Sequence, residues 1–314
     1  MPIAKDELSA NAMGGTEQMK YKLQELLDPE LLNRFEIICS RVRDLTPDLY
    51  KIYWLHDLPE DPESQHLAAG GWNKFEQLIF VSHWQMQKYI EHYNIPWYKC
   101  KVLQNAIVPI EYKEKSNTNI KLIYHTTPHR GLEILVPVFI KLCEMYDNIE
   151  LDIFSSFEIY GWKQRDEPYQ QLFDVCNEHP KINYHGFKSN TVVREALQNT
   201  HIFAYPCIWK ETSCIALLEA MSAGCMCVHP DFGVLPETAA NFNLMYHWDP
   251  NVNDHALNFA NALISAIDIM STNNRIQETL TTTRQYINHF YSWDNRIEEW
   301  TAVLKNILAK KKML

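Results

Sequence analysis

Short apolar runs rich in β-branched residues alternate along the chain with longer segments of helical periodicity. This alternation is typical of βα units, in which helices join parallel strands. Residues 16–27 carry Met19, Leu23, Leu26 and Leu27 on one helical face, which predicts an amphipathic helix near the N-terminus. Four strands are predicted after it, at Phe35–Cys39, Tyr50–Leu55, Leu78–Ser82 and Lys101–Gln104.

The polar stretch Glu111–Asn119 interrupts this pattern and predicts a linker between domains. Strands are predicted beyond it at Ile120–His125, Ile149–Phe154, Ile182–Tyr184, His201–Tyr205 and Cys225–His229, with helices at 131–146, 190–199, 213–223, 254–272 and 293–309. We therefore expect two α/β domains, residues 1–113 and 114–292. The helical stretch within 293–314 is expected to pack back toward the first domain.

Composition and charge narrow the class of protein. With 46% hydrophobic and 22% charged residues, the 314-residue chain resembles a soluble globular protein rather than a disordered or collagen-like one. No apolar stretch is long enough for a membrane span, and we expect no stable membrane insertion. A net charge of −10 argues against nucleic acid as a partner. The N-terminus lacks the apolar core of a secretory signal, so we expect a cytoplasmic protein.

The eight cysteines are scattered or clustered without a CxxC pair. Several lie in apolar runs, where a free thiol packs as a small hydrophobic group. Reduced, buried cysteines are therefore expected. A zinc site is disfavoured because no second half-site supplies ligands, and we expect no metal.

Three short motifs stand where ligands of α/β proteins bind. Gly14-Gly15 directly precedes a predicted helix, whose N-terminus favours phosphate, although an ordinary helix entry explains the pair equally simply. His56 follows the strand Tyr50–Leu55, where it would bond a sugar hydroxyl, act as acid or base, or merely cap a loop. Arg130 follows another strand and opens a helix, a position suited to phosphate oxygens.

Glu211 and Glu219 flank seven residues at the start of an apolar helix. Glu211 is predicted in the loop before the helix, beside backbone N–H groups that bind anions. Glu219 is predicted within the helix, where a buried carboxylate needs hydrogen-bonding partners. A ribose diol would supply two donors; the alternative is an ordinary helix glutamate that reaches solvent.

The order and spacing of these pieces resemble the retaining glycosyltransferases of family four. Glu211 and Glu219 match their EX7E motif, and the loop Asp231–Glu237 is similar to the one that follows it. Further matches are Gly14-Gly15-Thr16-Glu17, Asn105, Arg130-Gly131, Gly186-Phe187 and Tyr291-Ser292-Trp293. The resemblance implies a GT-B fold, in which two Rossmann-like domains face each other across a cleft. It also implies metal-independent transfer of a sugar from a nucleotide diphosphate, without a cofactor, to a carbohydrate or glycoconjugate acceptor.

The resemblance assigns expected roles to individual residues. Glu219 would hold the donor ribose and Glu211 the hydroxyls of the sugar. Arg130, with the backbone at Cys214 and Ile215, would neutralise the departing diphosphate. Further implied contacts to donor or acceptor come from Gly14, Gly15, His56, Asn105, Lys210, Thr212 and Ser213.

The chain departs from the family pattern at its N-terminus. Only thirteen residues precede Gly14, and we therefore expect the first strand of the N-terminal domain to be missing from the sequence. The open sheet edge then either stays bare or is completed by another subunit, which would make a homodimer. A second cation expected at the diphosphate would fall near His125-Thr126, with Lys163, Lys188 and Lys210 as substitutes.

Three alternatives to a glycosyltransferase remain open. A nucleotide-sugar-binding protein of the same fold would bind donor without turnover. A nucleic-acid-modifying transferase would require salt-sensitive DNA binding, which the negative charge disfavours. A dehydrogenase would require a GxGxxG fingerprint after a strand, and the sequence has none.

Overall fold

A computed structural model describes residues 14–116, 118–272 and 275–312. The chain divides into two compact units. Unit 1 contains residues 14–106 and 291–312, and unit 2 contains the described residues between 107 and 290. The first boundary therefore lies before the expected position at residue 113. The expected lack of a strand before Gly14 concerns residues outside the described part of the chain.

Unit 1 is built on a four-stranded parallel sheet in the order β1-β2-β3-β4. Its strands are β1 Phe35–Cys39, β2 Tyr50–Leu55, β3 Gln77–Phe80 and β4 Cys100–Val102. Its α-helices are α1 Gly15–Leu26, α2 Pro29–Leu32, α3 His83–Tyr93 and the C-terminal Trp293–Lys312, with 3-10 segments at Pro62–Lys74 and Trp97–Lys99.

The two faces of this sheet are buried by different helices because side chains alternate along each strand. Tyr53 of β2 and Phe80 of β3 belong to an apolar cluster with Tyr89 of α3. Trp54 points to the opposite face, where its ring meets Trp300 of the C-terminal helix edge-on, 4.9 Å between centroids. Both tryptophans are buried, so the C-terminal helix is an integral part of unit 1.

Unit 2 is built on a six-stranded parallel sheet in the order β10-β9-β8-β5-β6-β7. The strands are β5 Ile120–Tyr124, β6 Ile149–Ile153, β7 Ile182–Tyr184, β8 Ile202–Ala204, β9 Met226–Pro230 and β10 Leu244–Tyr246. The α-helices are α4 Leu132–Leu142, α5 Gln170–Glu178, α6 Asn190–Gln198, α7 Ile215–Ser222, α8 Leu235–Ala239, α9 Val252–Thr272 and α10 Ile276–Phe290, with 3-10 turns at Pro128–Arg130, Phe157–Tyr160 and Lys163–Tyr169. The C-terminal helix of unit 1 is accordingly α11.

The strand order of unit 2 reverses at β5. This strand pairs with β6 on one side and with β8 on the other, with Leu122 opposite Ile202. In open parallel sheets ligands bind outside the carboxyl ends of the strands at such a switch point. A functional site is therefore expected at the segments that follow β5 and β8.

Candidate functional site

Gly131 brings the segments after β5 and β8 into contact. Its φ of +123° lies outside the range that residues with a Cβ adopt readily. A Cβ at this position would lie 2.1 Å from the carbonyl oxygen of Pro206, so only glycine fits. This close approach places Arg130, in the 3-10 turn Pro128–Arg130, beside the loop that carries Glu211.

Arg130 and Glu211 form an ion pair through Nη1 and Oε1. The Nε of Arg130 also donates to Thr127 Oγ1 at 3.1 Å, and Tyr205 donates its hydroxyl to Glu211. Burial by itself disfavours the charged guanidinium, but the neighbouring carboxylate outweighs it and raises the pKa of Arg130 well above its usual value. Glu211 is 5% exposed, so the pair is a preformed charged group at the switch point.

The backbone of Glu211 is held from its other side by the loop before α8. Gly233 has a φ of +59°, and a Cβ there would lie 3.1 Å from both N and O of Glu211. The next residue, Val234, donates its N–H to Glu211 O at 3.2 Å. The loop Asp231–Glu237 therefore fixes the position of Glu211. The sequence showed only that this loop is similar to the family loop that follows the EX7E motif.

Glu219 lies within α7 and is 6% exposed. It is not an ordinary helix glutamate that reaches solvent, because two side chains of α6 donate to its carboxylate. Arg194 Nη1 lies 2.8 Å from Oε1, and Asn190 Nδ2 lies 3.3 Å from each oxygen. Burial raises the pKa of Glu219, and Arg194 and Asn190 oppose that rise. Sequence reasoning missed both partners.

The N-terminus of α7 is close to its predicted position. The helix begins at Ile215, after Cys214 as N-cap, rather than near Ser213. Thr212 and Ser213 lie in the loop between Glu211 and the helix, and Lys210 before them is exposed. The first N–H groups of a helix have no partner within it and favour anions. The segment from Glu211 to Ile215 therefore presents a carboxylate and a helix N-terminus side by side.

The histidines near Arg130 are uncharged at neutral pH. Burial lowers the pKa of His125 and of His129 to about 3. His129 stacks on Phe157 and meets Trp209 edge-on, with ring centroids 5.1 and 4.9 Å apart. His125 accordingly supplies no second cation. Lys163 and Lys188, the other substitutes that the sequence suggested, are exposed.

The predicted site residues of unit 1 lie at the ends of its elements. Gly14 caps α1 and Gly15 opens it; the φ of Gly14 is −65°, which any residue can adopt. His56 follows β2, its ring 4.8 Å from that of Trp54, and burial lowers its pKa to about 3. Asn105 follows β4 and is 4% exposed. Its Oδ1 has no hydrogen-bond partner among the described residues.

Metal-binding groups and membrane spans are both absent from the described ranges. Within them, no three His, Cys, Asp or Glu side chains come together in a way that could hold a metal ion. No helix of these ranges is long and apolar enough to span a membrane.

Comparisons with known proteins agree with this architecture. A crystal structure of a glycosyltransferase from Rickettsia africae ESF-5 superposes with a TM-score of 0.67 at 15% identity, covering 96% of this chain and 83% of that one. The structure of Anabaena Alr3699/HepE in complex with UDP-glucose gives a TM-score of 0.64 at 14% identity, covering 82% of this chain and 72% of that one. The predicted α/β fold with parallel sheets, of GT-B type, is confirmed.

Sequence comparison leads to the same family. A component of the phosphatidylinositol N-acetylglucosaminyltransferase of Arabidopsis thaliana is 23% identical over 231 residues, covering 70% of this chain and 47% of the relative. This chain thus spans about half the length of that relative. A family model described as Glycosyl transferases group 1 matches residues 110–280, more than half of the 314 residues. The chain therefore belongs to the glycosyl transferases group 1 family.

Proposed function

We propose that the protein is a retaining glycosyltransferase that moves a sugar from a nucleotide diphosphate to an acceptor hydroxyl. One observation carries the proposal: the Arg130–Glu211 pair lies at the switch point of unit 2, and the buried Glu219 lies on α7, the helix that follows Glu211. Arg130 and the N-terminus of α7 match the diphosphate, Glu211 matches the sugar, and Glu219 matches the ribose.

Arg130 supports departure of the diphosphate. As the glycosyl–phosphate bond breaks, positive charge develops on the sugar and negative charge on the leaving oxygens. Arg130 and the backbone N–H groups at Cys214 and Ile215 would stabilise that negative charge more strongly in the transition state than in the ground state. Its pair with Glu211 fixes the guanidinium in advance, so little reorganisation is needed when the bond breaks.

Glu211 and Glu219 would bind the two ends of the donor. Glu211, anchored by Gly233 and Val234 through its backbone, keeps acceptor capacity for sugar hydroxyls beyond its bonds to Arg130 and Tyr205. Glu219 would accept the ribose hydroxyls. This arrangement supplies electrostatic stabilisation from the protein itself, and we propose that transfer needs no metal.

The relatives suggest which donor and acceptor to test first. One neighbouring structure holds UDP-glucose, and the Arabidopsis relative is named for N-acetylglucosamine transfer to phosphatidylinositol. We therefore propose a UDP-sugar as donor and a lipid-linked hydroxyl as first acceptor to assay. A cytoplasmic location and a homodimer stay predictions.

Thermal unfolding with a panel of nucleotides tests the donor site. UDP-, GDP- and ADP-sugars and the free diphosphates are added to the parent and to Glu219→Ala. A ligand at about 100 times its Kd should stabilise the parent by about 2.7 kcal/mol. Glu195→Ala is the matched control, because Glu195 is an exposed glutamate on the neighbouring helix α6. If no nucleotide stabilises the parent, the donor assignment is wrong.

Turnover is tested separately with the donor so identified. Transfer to a sugar or lipid acceptor, followed by NMR of the anomeric proton, establishes whether configuration is retained, and assays in EDTA test metal independence. Donor binding without transfer or hydrolysis would instead support a nucleotide-sugar-binding protein of the same fold.

A further inference from the structure

Arg194 connects Glu219 to the segment that enters unit 2. Its Nη1 donates to Glu219 Oε1 at 2.8 Å. Its Nη2 donates to two main-chain carbonyls, those of Val108 at 2.9 Å and Pro109 at 3.2 Å. The guanidinium is thus held at one end by two backbone acceptors, and its other end contacts the carboxylate.

The bonds from α6 leave part of the Glu219 carboxylate free. Oε1 accepts from Arg194 and Asn190, whereas Oε2 accepts from Asn190 at 3.3 Å, near the long limit of a hydrogen bond. An ionised carboxylate offers about four acceptor positions. The three contacts leave one position free, on Oε2, and a second hydroxyl can replace one of the long Asn190 contacts.

We propose that Arg194 is a positioning residue that orients Glu219 to accept both hydroxyls of a vicinal diol, so that the site selects ribonucleotides over 2′-deoxyribonucleotides. The inference rests on the proposed donor site and adds the residue that determines its sugar selectivity. Arg194 itself does not touch the nucleotide in this account.

The chemistry of a buried carboxylate explains why such a residue is needed. Burial raises the pKa of Glu219, and Arg194 opposes the rise, so the arginine favours the ionised form that accepts from two hydroxyls. A protonated carboxyl group would give up part of its acceptor capacity. A lysine would retain the charge but not the fork that binds Glu219 and the carbonyls together.

A purely structural role for Arg194 is the competing explanation, because the same guanidinium holds Val108 and Pro109. Gln198 provides the control. It lies one turn further along α6 and donates its Nε2 to Glu111 O at 2.9 Å, so it holds the same segment. Its described hydrogen bond involves no atom of Glu219. Gln198→Ala loosens the segment without altering the carboxylate.

Calorimetric titration with paired nucleotides tests the proposal. UDP and 2′-deoxy-UDP, GDP and 2′-deoxy-GDP, and ADP and 2′-deoxy-ADP are titrated into the parent. The parent should bind the ribonucleotide of its preferred base about tenfold more tightly or better, because one hydrogen bond to an ionised acceptor is lost with the 2′-hydroxyl. Arg194→Met should reduce that ratio to about twofold or less, Arg194→Lys should give an intermediate ratio, and Gln198→Ala should keep the parent ratio.

The outcomes separate the inference from the function on which it rests. Arg194→Met that weakens both nucleotides equally, with the ratio kept, would show a structural role and overturn the proposal. If Arg194→Met does not fold, as thermal unfolding will show, Arg194→Lys decides, and an unchanged ratio there overturns it. The parent could bind UDP and 2′-deoxy-UDP with equal affinity, while Glu219→Ala abolishes UDP binding. This result would support the donor site and refute the inference. A parent that binds none of the nucleotides refutes both.

Discussion

Gly131 and Pro206 approach so closely that no side chain fits between them. The carbonyl oxygen of Pro206 lies 2.1 Å from the position that a Cβ at residue 131 would take. Gly131 follows Arg130 and caps α4, whereas Pro206 follows Tyr205 at the end of β8. The contact thus holds together the two chain segments that carry Arg130 and the hydroxyl partner of Glu211.

Gly131→Ala should therefore destabilise unit 2 by about 3 kcal/mol or more, because the methyl group meets backbone and the φ is unfavourable. Gly186→Ala is the matched control. Gly186 also has a positive φ, +61°, but its Cβ would meet only the Tyr184 hydroxyl at 3.9 Å, so about 1 kcal/mol is expected. Urea unfolding of both variants measures the difference. Equal losses of unfolding free energy in the two variants would mean that the backbone at Pro206 shifts at little cost to admit the methyl group.

Separating Arg130 from Glu211 should cost both stability and activity. Arg130→Met leaves a carboxylate that is 5% exposed without its counter-charge, a loss of about 3 kcal/mol. Transfer should fall about 100-fold, since the leaving diphosphate loses its cation.

A double-mutant cycle with Glu211→Leu identifies the pair as the cause. The double variant should be more stable than the sum of the single losses predicts, because it leaves no buried charge unpaired. Additive losses would show that the two side chains act independently.

Sequence patterns located every strand except β10, and they located α9 and α11 but not α10. Phe35–Cys39 and Tyr50–Leu55 form with the predicted bounds, because each is an apolar run bordered by polar residues. No helix was predicted at α10, Ile276–Phe290, which is rich in threonine and buries little beyond Leu280, Thr283 and Ile287. The strand β10, Leu244–Tyr246, is too short to show a period.

Local sequence patterns predicted individual site residues but not the contacts between residues far apart in the chain. Arg130 and Glu211 could be found because each follows a predicted strand. Their contact spans 81 residues of chain, and the bond from Arg194 to Glu219 spans 25. No local pattern encodes a contact between residues so far apart in the chain. From the sequence, a bound ribose was therefore expected as the hydrogen-bonding partner of Glu219, whereas α6 already supplies two partners, Asn190 and Arg194.

Stability should fall in mild acid because of His125. Its ring lies 4.8 Å from that of Phe203, and burial lowers its pKa to about 3, against about 6.5 in an unfolded chain. Below about pH 6.5, His125 is therefore protonated in the unfolded state but not in the folded state. The folded state loses stability as the pH falls from about 6.5 toward 3.

His125→Asn removes this titration. Between pH 7 and pH 5 the variant should lose about 1 to 2 kcal/mol less than the parent, measured by urea unfolding at each pH. His289→Asn, at an exposed position of α10, should keep the dependence of the parent. An identical pH dependence in His125→Asn would show that its pKa is not lowered by burial.

The thiols should react slowly in the folded protein and completely in the unfolded one. All eight cysteines are free; five are buried, and Cys39, Cys100 and Cys143 are partly exposed. Burial raises the pKa of Cys39 to about 12 and that of Cys100 to about 11. At pH 8 about one thiol in a thousand with a pKa of 11 is ionised, against about a quarter at a pKa of 8.5.

With Ellman's reagent we expect at most one rapidly reacting thiol, with Cys143 as the candidate, and eight after unfolding in guanidinium without reductant. Cys143→Ser should remove the fast phase. Two or more fast thiols would show that the fold buries these side chains less than described, and fewer than eight after unfolding would reveal a disulfide.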